Sequence, residues 1–274
     1  MTIFLYKLLL GFIVGSLIAT FSYTTNLLTK SGAFAVIFIA GVVCGFGPWF
    51  TWLLLILFFG SSGCVHLAKK VMKIAKIDSI AEKGHTRDAW QVLANSLPAI
   101  ISLVLFYYTE NQLFMIGYVS AIAGATADTL GSEIGILSTH VPHSIITLKP
   151  IEPGLSGGIS ILGSVASIFG SLLISFAFWL FFGWNHFSQL PTSVMIIVPC
   201  ICGIVNSIVD SLLGATLQAK YRCVICEQLT EQKKHHLQPS KLVNGISWLS
   251  NDWVNFFSGC LTILLSWVII FYMY

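Results

Sequence analysis

Charge is what this chain has least of. Asp, Glu, Lys and Arg make up 9% of its 274 residues, where ordinary soluble domains carry about 25%. That scarcity excludes a water-soluble body. Aromatic and basic residues do not alternate as they would in a soluble nucleic-acid module, so no nucleic acid partner is expected. The phosphate-loop spacing G-x-x-x-x-G-K-[ST] is missing, and no Ser-His-Asp or Cys-His nucleophile arrangement stands out. The opening stretch, MTIFLYKLLLGFIVGSLIA, imitates a secretory signal but lacks a small-residue cleavage site. It reads as a retained first helix.

Apolar sequence is abundant. Hydrophobic residues reach 56% with a mean hydropathy of +0.86. The pattern predicts an all-α polytopic transmembrane helix bundle, forming one integral-membrane domain over 1–274. Eight spans are expected, at about 4–22, 31–46, 49–66, 91–108, 112–128, 156–183, 192–217 and 252–273. Segment 31–46 is short and glycine-containing, which suits a tilted or re-entrant element. Pro98 suggests a kink in 91–108.

The few charges are unevenly placed. Six of the 14 basic residues are Lys69, Lys70, Lys73, Lys76, Lys83 and Arg87, and five more are Lys220, Arg222, Lys233, Lys234 and Lys241. With loops 67–90, 129–155 and 218–251 inside, every Lys and Arg except Lys7 falls on the cytoplasmic side, as the positive-inside rule requires. A bacterial plasma membrane with the active face towards the cytoplasm is the expected setting.

Polar residues within the spans share that side. Gln91 and Asn95, Thr129 and Glu133, Asn206 and Asp210, and Asn251 and Asn255 are each four residues apart, hence on one helical face. Asp128 and Asp252 lie beside two of these pairs. Buried amides and carboxylates often serve as hydrogen-bonding glue between helices. Several acidic groups at one membrane depth point instead to a functional pocket. Oxygen-rich ligands suit Mg²⁺, and Asp128, Asp210 and Asp252 are the preferred metal ligands. Glu133 is a ligand or a general base.

The turn Pro153-Gly154-Leu155-Ser156-Gly157-Gly158-Ile159-Ser160 leads into a span. Glycines there would let backbone N–H groups approach an anion, and the following helix N-terminus adds favourable dipole. A plain helix cap is the competing reading. Lys149 and Arg87 are candidate phosphate contacts, Arg87 through its forked guanidinium, with Lys83 as a further point charge. Asn95, Asn251 and Asn255 extend the same set. Lys69, Lys70, Lys73 and Lys76 read as a solvated loop, and His85 as an interfacial residue. Cys223-x-x-Cys226 followed by His235-His236 offers zinc ligands at a spacing shorter than in typical fingers; reduced, unligated thiols are the alternative.

The runs RDAWQVLAN (87–95), ATADTLGSEIG (125–135), PGLSGGIS (153–160), DSLLGATLQ (210–218) and NDWVNFFS (251–258) resemble the integral-membrane family that includes plant phytyl-phosphate kinase and a human transmembrane homolog. The resemblance runs from about 11 to 270, and the C-x-x-C before the last span fits it too. More distantly, the chain is similar to dolichol kinases and CDP-diacylglycerol synthases. The resemblance implies a prenyl-phosphate kinase-like phosphotransferase: a prenyl monophosphate raised to its diphosphate at the cytoplasmic membrane edge, with CTP or another nucleoside triphosphate as donor. It also implies that Asp128 and Glu133 sit in the active site, that the 153–160 turn holds phosphates, and that Asp210, Asn251 and Asp252 complete the centre. Glu152 departs from the threonine-rich approach expected before that turn. The alternative reading is a lipid or small-molecule transporter using the same carboxylates.

Overall fold

The computed structural model describes residues 2–71, 86–183 and 190–273. Among these are eight α-helices: α1 Thr2–Thr24, α2 Lys30–Phe46, α3 Trp49–Val71, α4 Ala89–Thr109, α5 Gln112–Gly135, α6 Ile161–Phe178, α7 Thr192–Thr216 and α8 Asn251–Met273. A π-helical turn, Trp179–Gly183, continues α6. Among the described residues, seven helices are long and apolar enough to cross a membrane. The eighth, α2, has 17 residues and reaches only about 25 Å at 1.5 Å per residue. The helix α4 runs without a break through Pro98.

Successive helices alternate in direction. Near their starts, the Tyr118 hydroxyl of α5 donates to the Thr51 carbonyl of α3 over 2.6 Å. Near their ends, Ser62 and Glu133 meet. The C-termini of α1, α3, α5 and α7 therefore share one face, the site face, with the N-termini of α2, α4, α6 and α8. Aromatic contacts close the opposite end, where Phe4 meets Phe46 at 5.3 Å and Phe46 meets Tyr107 at 5.0 Å. Lys7 lies there too, donating to the Gly47 carbonyl.

The helix α5 is the hub, packing on α3, α4, α6, α7 and α8. Its run from Met115 to Ala127 is buried. Without a hydrophobic drive inside lipid, such contact depends on close backbone approach through small residues. Gly131 and Gly135 of α5 meet Gly163 and Ser167 of α6, and a methyl group at Gly163 would sit 2.8 Å from the Gly131 carbonyl. Peripheral α1 packs on α2 and is largely exposed.

Two segments outside the bundle carry short strands. Strand β1 (His143–Ser144) pairs antiparallel with β2 (Gly158–Ile159). The 217–250 lobe holds β3 (Lys220–Arg222) between β4 (Leu229–Thr230) and β7 (Lys241–Asn244), plus the hairpin of β5 (Lys234–His235) and β6 (Gln238–Pro239). The span expected to begin at 156 starts instead at Ile161. Residues 158–159 are claimed by strand pairing, and Ser160 is the N-cap, its hydroxyl accepting from the Gly163 N–H at 3.1 Å. The loop expected from 129 opens after Gly135, so Asp128, Thr129 and Glu133 all belong to α5.

Candidate active site

All eight helices and both extramembrane segments contribute to a cavity of about 460 Å³ at the site face. The four expected polar faces converge there. Gln91 and Asn95 of α4, Asp128, Thr129 and Glu133 of α5, Asp210 of α7, and Asn251, Asp252 and Asn255 of α8 all line it. Asn206 lies deeper, in a narrow pocket it shares with Asn95, Asp128, Asp210 and Asn255. A methyl group at Gly124 would sit 2.7 Å from its amide carbon, so α5 needs glycine where Asn206 stands.

Arg87 is held before its side chain begins. Its N–H donates to the Leu27 carbonyl at 3.0 Å, and its carbonyl accepts from the Thr29 N–H at 3.0 Å. The Arg87 carbonyl also crowds Gly32, leaving no room for a side chain there. The next residue, Asp88, caps α4 through a box with Gln91: the Gln91 N–H donates to Asp88 Oδ1, and the Asp88 N–H donates to Gln91 Oε1. This box is worth about 1 kcal/mol and commits the Gln91 side chain to the helix end. From this anchored start the Arg87 guanidinium reaches α3 and α5. Its Nη2 donates to Ser62 Oγ at 2.7 Å and to Glu133 Oε1 at 3.1 Å, and Ser62 donates to the same Glu133 oxygen at 2.6 Å. The guanidinium carbon also lies 5.7 Å from the Phe58 ring centroid. Glu133 is thereby tied to a cation.

The deep carboxylates have other company. Asp210 is buried, and the Ser258 hydroxyl of α8 lies 3.1 Å from its Oδ2. The Thr262 hydroxyl donates to Asn206 Oδ1 at 2.8 Å. Neither bond supplies a positive charge. Among the described lining residues there are five carboxylates, Asp128, Glu133, Asp210, Asp252 and Glu231, against two Lys or Arg side chains, Arg87 and Lys69. Carboxylates in a mostly apolar bundle are costly unless paired or metal-bound. Hard oxygen donors suit Mg²⁺. Asp128 and Asp210 in the cavity, with Asp252 at the start of α8, fit that ion by donor type.

The 153–160 turn lines the cavity along its whole length, but part of its donor set is used inside the protein. The Ser156 N–H donates to Glu231 Oε1 at 2.8 Å, and the Gly158 N–H donates to the Leu155 carbonyl at 3.2 Å. Lys220 Nζ donates to the Ser156 carbonyl at 2.9 Å. Burial holds the Lys220 ammonium below the ordinary lysine range, and Glu231 partly offsets this. Gly157 is conformationally required: its φ is +87°, and a methyl group there would meet Ala215 at 2.5 Å. The turn is therefore clamped between α7 and the 217–250 lobe.

Lys149 does not reach the site; it is exposed on the β1 side of the loop and absent from the cavity wall. Exposed Glu152 also stays out. Lys83 and His85 lie outside the described residues. Lys69, read from sequence as a solvated loop residue, is instead in α3 and lines the cavity with Ser62 and His66. These three fall at spacings of four and three, one helical face. That face was legible in principle, but the neighbouring lysines masked it. Glu231 had no local signal. The zinc candidates come together: the donor atoms of Cys223, Cys226, His235 and His236 all lie within 4.8 Å of one another.

Fold and cavity together define a multi-pass membrane protein with a carboxylate-rich cavity at one end of its bundle. The chain belongs to the integral membrane protein DUF92 family, whose profile matches residues 13–263. It is 27% identical to Protein PGR of Arabidopsis thaliana over 279 residues, covering 95% of each chain. An uncharacterised membrane protein of Methanocaldococcus jannaschii is 35% identical over 187 residues, covering 67% of this chain and 70% of its own. Protein VTE6, chloroplastic, of Arabidopsis thaliana is 24% identical over 193 residues, covering 68% of this chain and 49% of its own. No solved structure matches the chain.

Proposed function

We propose that this protein is a membrane-embedded, nucleoside-triphosphate-dependent kinase that converts a prenyl monophosphate, phytyl-like in character, to the diphosphate. The observation that carries the reading is the convergence of five carboxylates with Arg87, Lys69 and a clamped glycine turn in one cavity at one end of the bundle. The resemblance to the family that includes a plant phytyl-phosphate kinase supports it. By the positive-inside rule the site face is cytoplasmic.

The geometry suits the chemistry. Phosphoryl transfer needs positioning and charge neutralisation more than covalent help. An oxygen of the acceptor phosphate forms the new bond to the γ-phosphorus, and the bond from that phosphorus to the β,γ-bridging oxygen breaks, releasing the nucleoside diphosphate. A phosphate monoester has its second pKa near about 6, so at neutral pH the attacking oxygen is already ionised. No general base is required, which fits a Glu133 committed to Arg87. Glu133 and Ser62 then act as positioning residues, fixing the guanidinium that grips phosphate oxygens. Asp128, Asp210 and Asp252 would hold Mg²⁺, which supplies charge neutralisation on the donor phosphates when bound. Asn95, Asn251 and Asn255 orient phosphate oxygens, and the N-termini of α6 and α8 add favourable dipoles. The isoprenoid tail remains among the helices.

The test is direct. Purified protein in lipid nanodiscs, given Mg²⁺, CTP or ATP and phytyl or geranylgeranyl monophosphate, yields the prenyl diphosphate, and Asp210→Asn does not. Absence of transfer to every prenyl phosphate tried, in protein that remains folded, overturns the proposal. Nucleotide-independent lipid or solute flux that Asp128→Asn abolishes would favour the transporter.

A further inference from the structure

The 217–250 lobe contributes Glu231 to the cavity, yet its remaining chemistry-bearing residues stand apart from it. Cys223 and Cys226 lie in the link between β3 and β4. Two backbone N–H groups, those of Cys226 and Ile225, point at the Cys223 sulfur, the second over 3.4 Å. The Glu227 N–H returns to the Cys223 carbonyl at 3.1 Å, and Glu227 takes a left-handed φ of +59°. This folded-back C-x-x-C presents both sulfurs on one side.

The histidines come from the second hairpin. His236 and Leu237, the two central residues of the β5–β6 turn, have φ of +52° and +62°. Such a turn ordinarily takes Asn-Gly. Non-glycine residues in that region are strained and persist where the surroundings impose them. Leu237 is 97% exposed, so apolar packing does not impose the turn. What the turn achieves is to bring His235 and His236 to the cysteines. Cys226 Sγ lies 3.6 Å from His235 Nδ1. A tetrahedral centre with Zn–S of about 2.3 Å and Zn–N of about 2.0–2.1 Å has an S···N edge of about 3.6 Å. His236, exposed, has room to close the fourth position.

From these hairpins we infer that Cys223, Cys226, His235 and His236 form a closed structural Zn²⁺ site, and that this site braces the phosphate turn. Two thiolates and two imidazoles in tetrahedral reach select zinc among common divalent ions. The bracing follows from chain order. Glu231 lies between Cys226 and His235, and Lys220 lies three residues before Cys223. Their side chains grip the N–H and the carbonyl of Ser156. Metal at both ends of the 226–235 segment fixes the position from which Glu231 reaches the turn. This inference stands whether or not the cavity transfers phosphate.

The experiment uses the full chain in detergent. Mass spectrometric metal analysis after desalting finds about one zinc per chain. The Cys223→Ser/Cys226→Ser variant falls below about a tenth of that, while Cys260→Ser, altered in α8, keeps its zinc. Cobalt exchanged into the unmodified protein shows d–d absorption of tetrahedral intensity and a thiolate charge-transfer band, so the test does not depend on the double variant folding. Hydrogen exchange at residues 153–160 rises on chelation and falls again when zinc is restored. A folded protein without zinc and without the cobalt bands overturns the site, as does zinc retained undiminished in the double variant. Zinc bound with unchanged exchange at 153–160 overturns the brace.

Discussion

Arg87 shows how much of a side chain's role is settled by its neighbours. Its backbone is pinned by Leu27 and Thr29, and its guanidinium is shared between Ser62 and Glu133. The Arg87 and Glu133 side chains are only 19% and 22% exposed, so the pair is worth more than a surface contact, about 1.5–3 kcal/mol. Arg87→Lys keeps the charge but loses the fork. It is expected to lower the thermal unfolding midpoint and to raise KM for the acceptor phosphate, both measurable in nanodiscs. Asp210→Asn preserves shape and the Ser258 contact while removing charge. It is expected to cut transfer by about 100-fold or more with little change in unfolding midpoint. Retained transfer would remove Asp210 from the metal set.

Among elements, the 153–160 turn is the informative one. Its glycines suggest an anion cradle, yet Ser156 and Gly158 spend their N–H groups inside the protein. Gly157 works by conformation and by lying against Ala215. Gly157→Ala should therefore destabilise by about 1–3 kcal/mol and depress activity through displacement of the turn, which unfolding and kinetic measurements on the same preparation would separate. Lys220 gives a pH signature. Burial lowers its pKa in the folded protein below the ordinary value near 10.5. Between those two values the unfolded chain binds more protons than the folded one, so stability rises with pH across that window. Below it the full cost of burying the ammonium applies. Thermal unfolding of the wild type should climb over the window, and Lys220→Met should flatten the climb.

For the molecule as a whole, the arrangement separates two solvents. The bundle keeps its apolar helix faces in lipid, while loops and helix ends at one face hold polar groups against water. If the cavity uses Mg²⁺ on carboxylates, EDTA abolishes transfer and added Mg²⁺ restores it, whereas zinc bound by thiolates resists brief EDTA treatment. Following activity and zinc content through one chelation series would show the two metals leaving at different times. Activity lost only together with zinc, and not restored by Mg²⁺, would overturn the carboxylate-bound Mg²⁺.

Sequence alone determined the class and many of the polar groups on the cavity wall. Scarce charge and long apolar runs dictate a helix bundle in lipid, because only internally hydrogen-bonded segments cross it. Polar residues four apart mark helix faces that must converge or be satisfied elsewhere, and Asn95, Asp128, Asp210 and Asn255 do converge. Tertiary structure decided the pairings. That Glu133 belongs to Arg87, that Lys69 faces inward while Lys149 faces out, and that Glu231 clamps Ser156 across 75 residues depend on which ends the bundle brings together. Side-chain spacing encodes direction within one helix; it carries no record of the neighbour that will meet it.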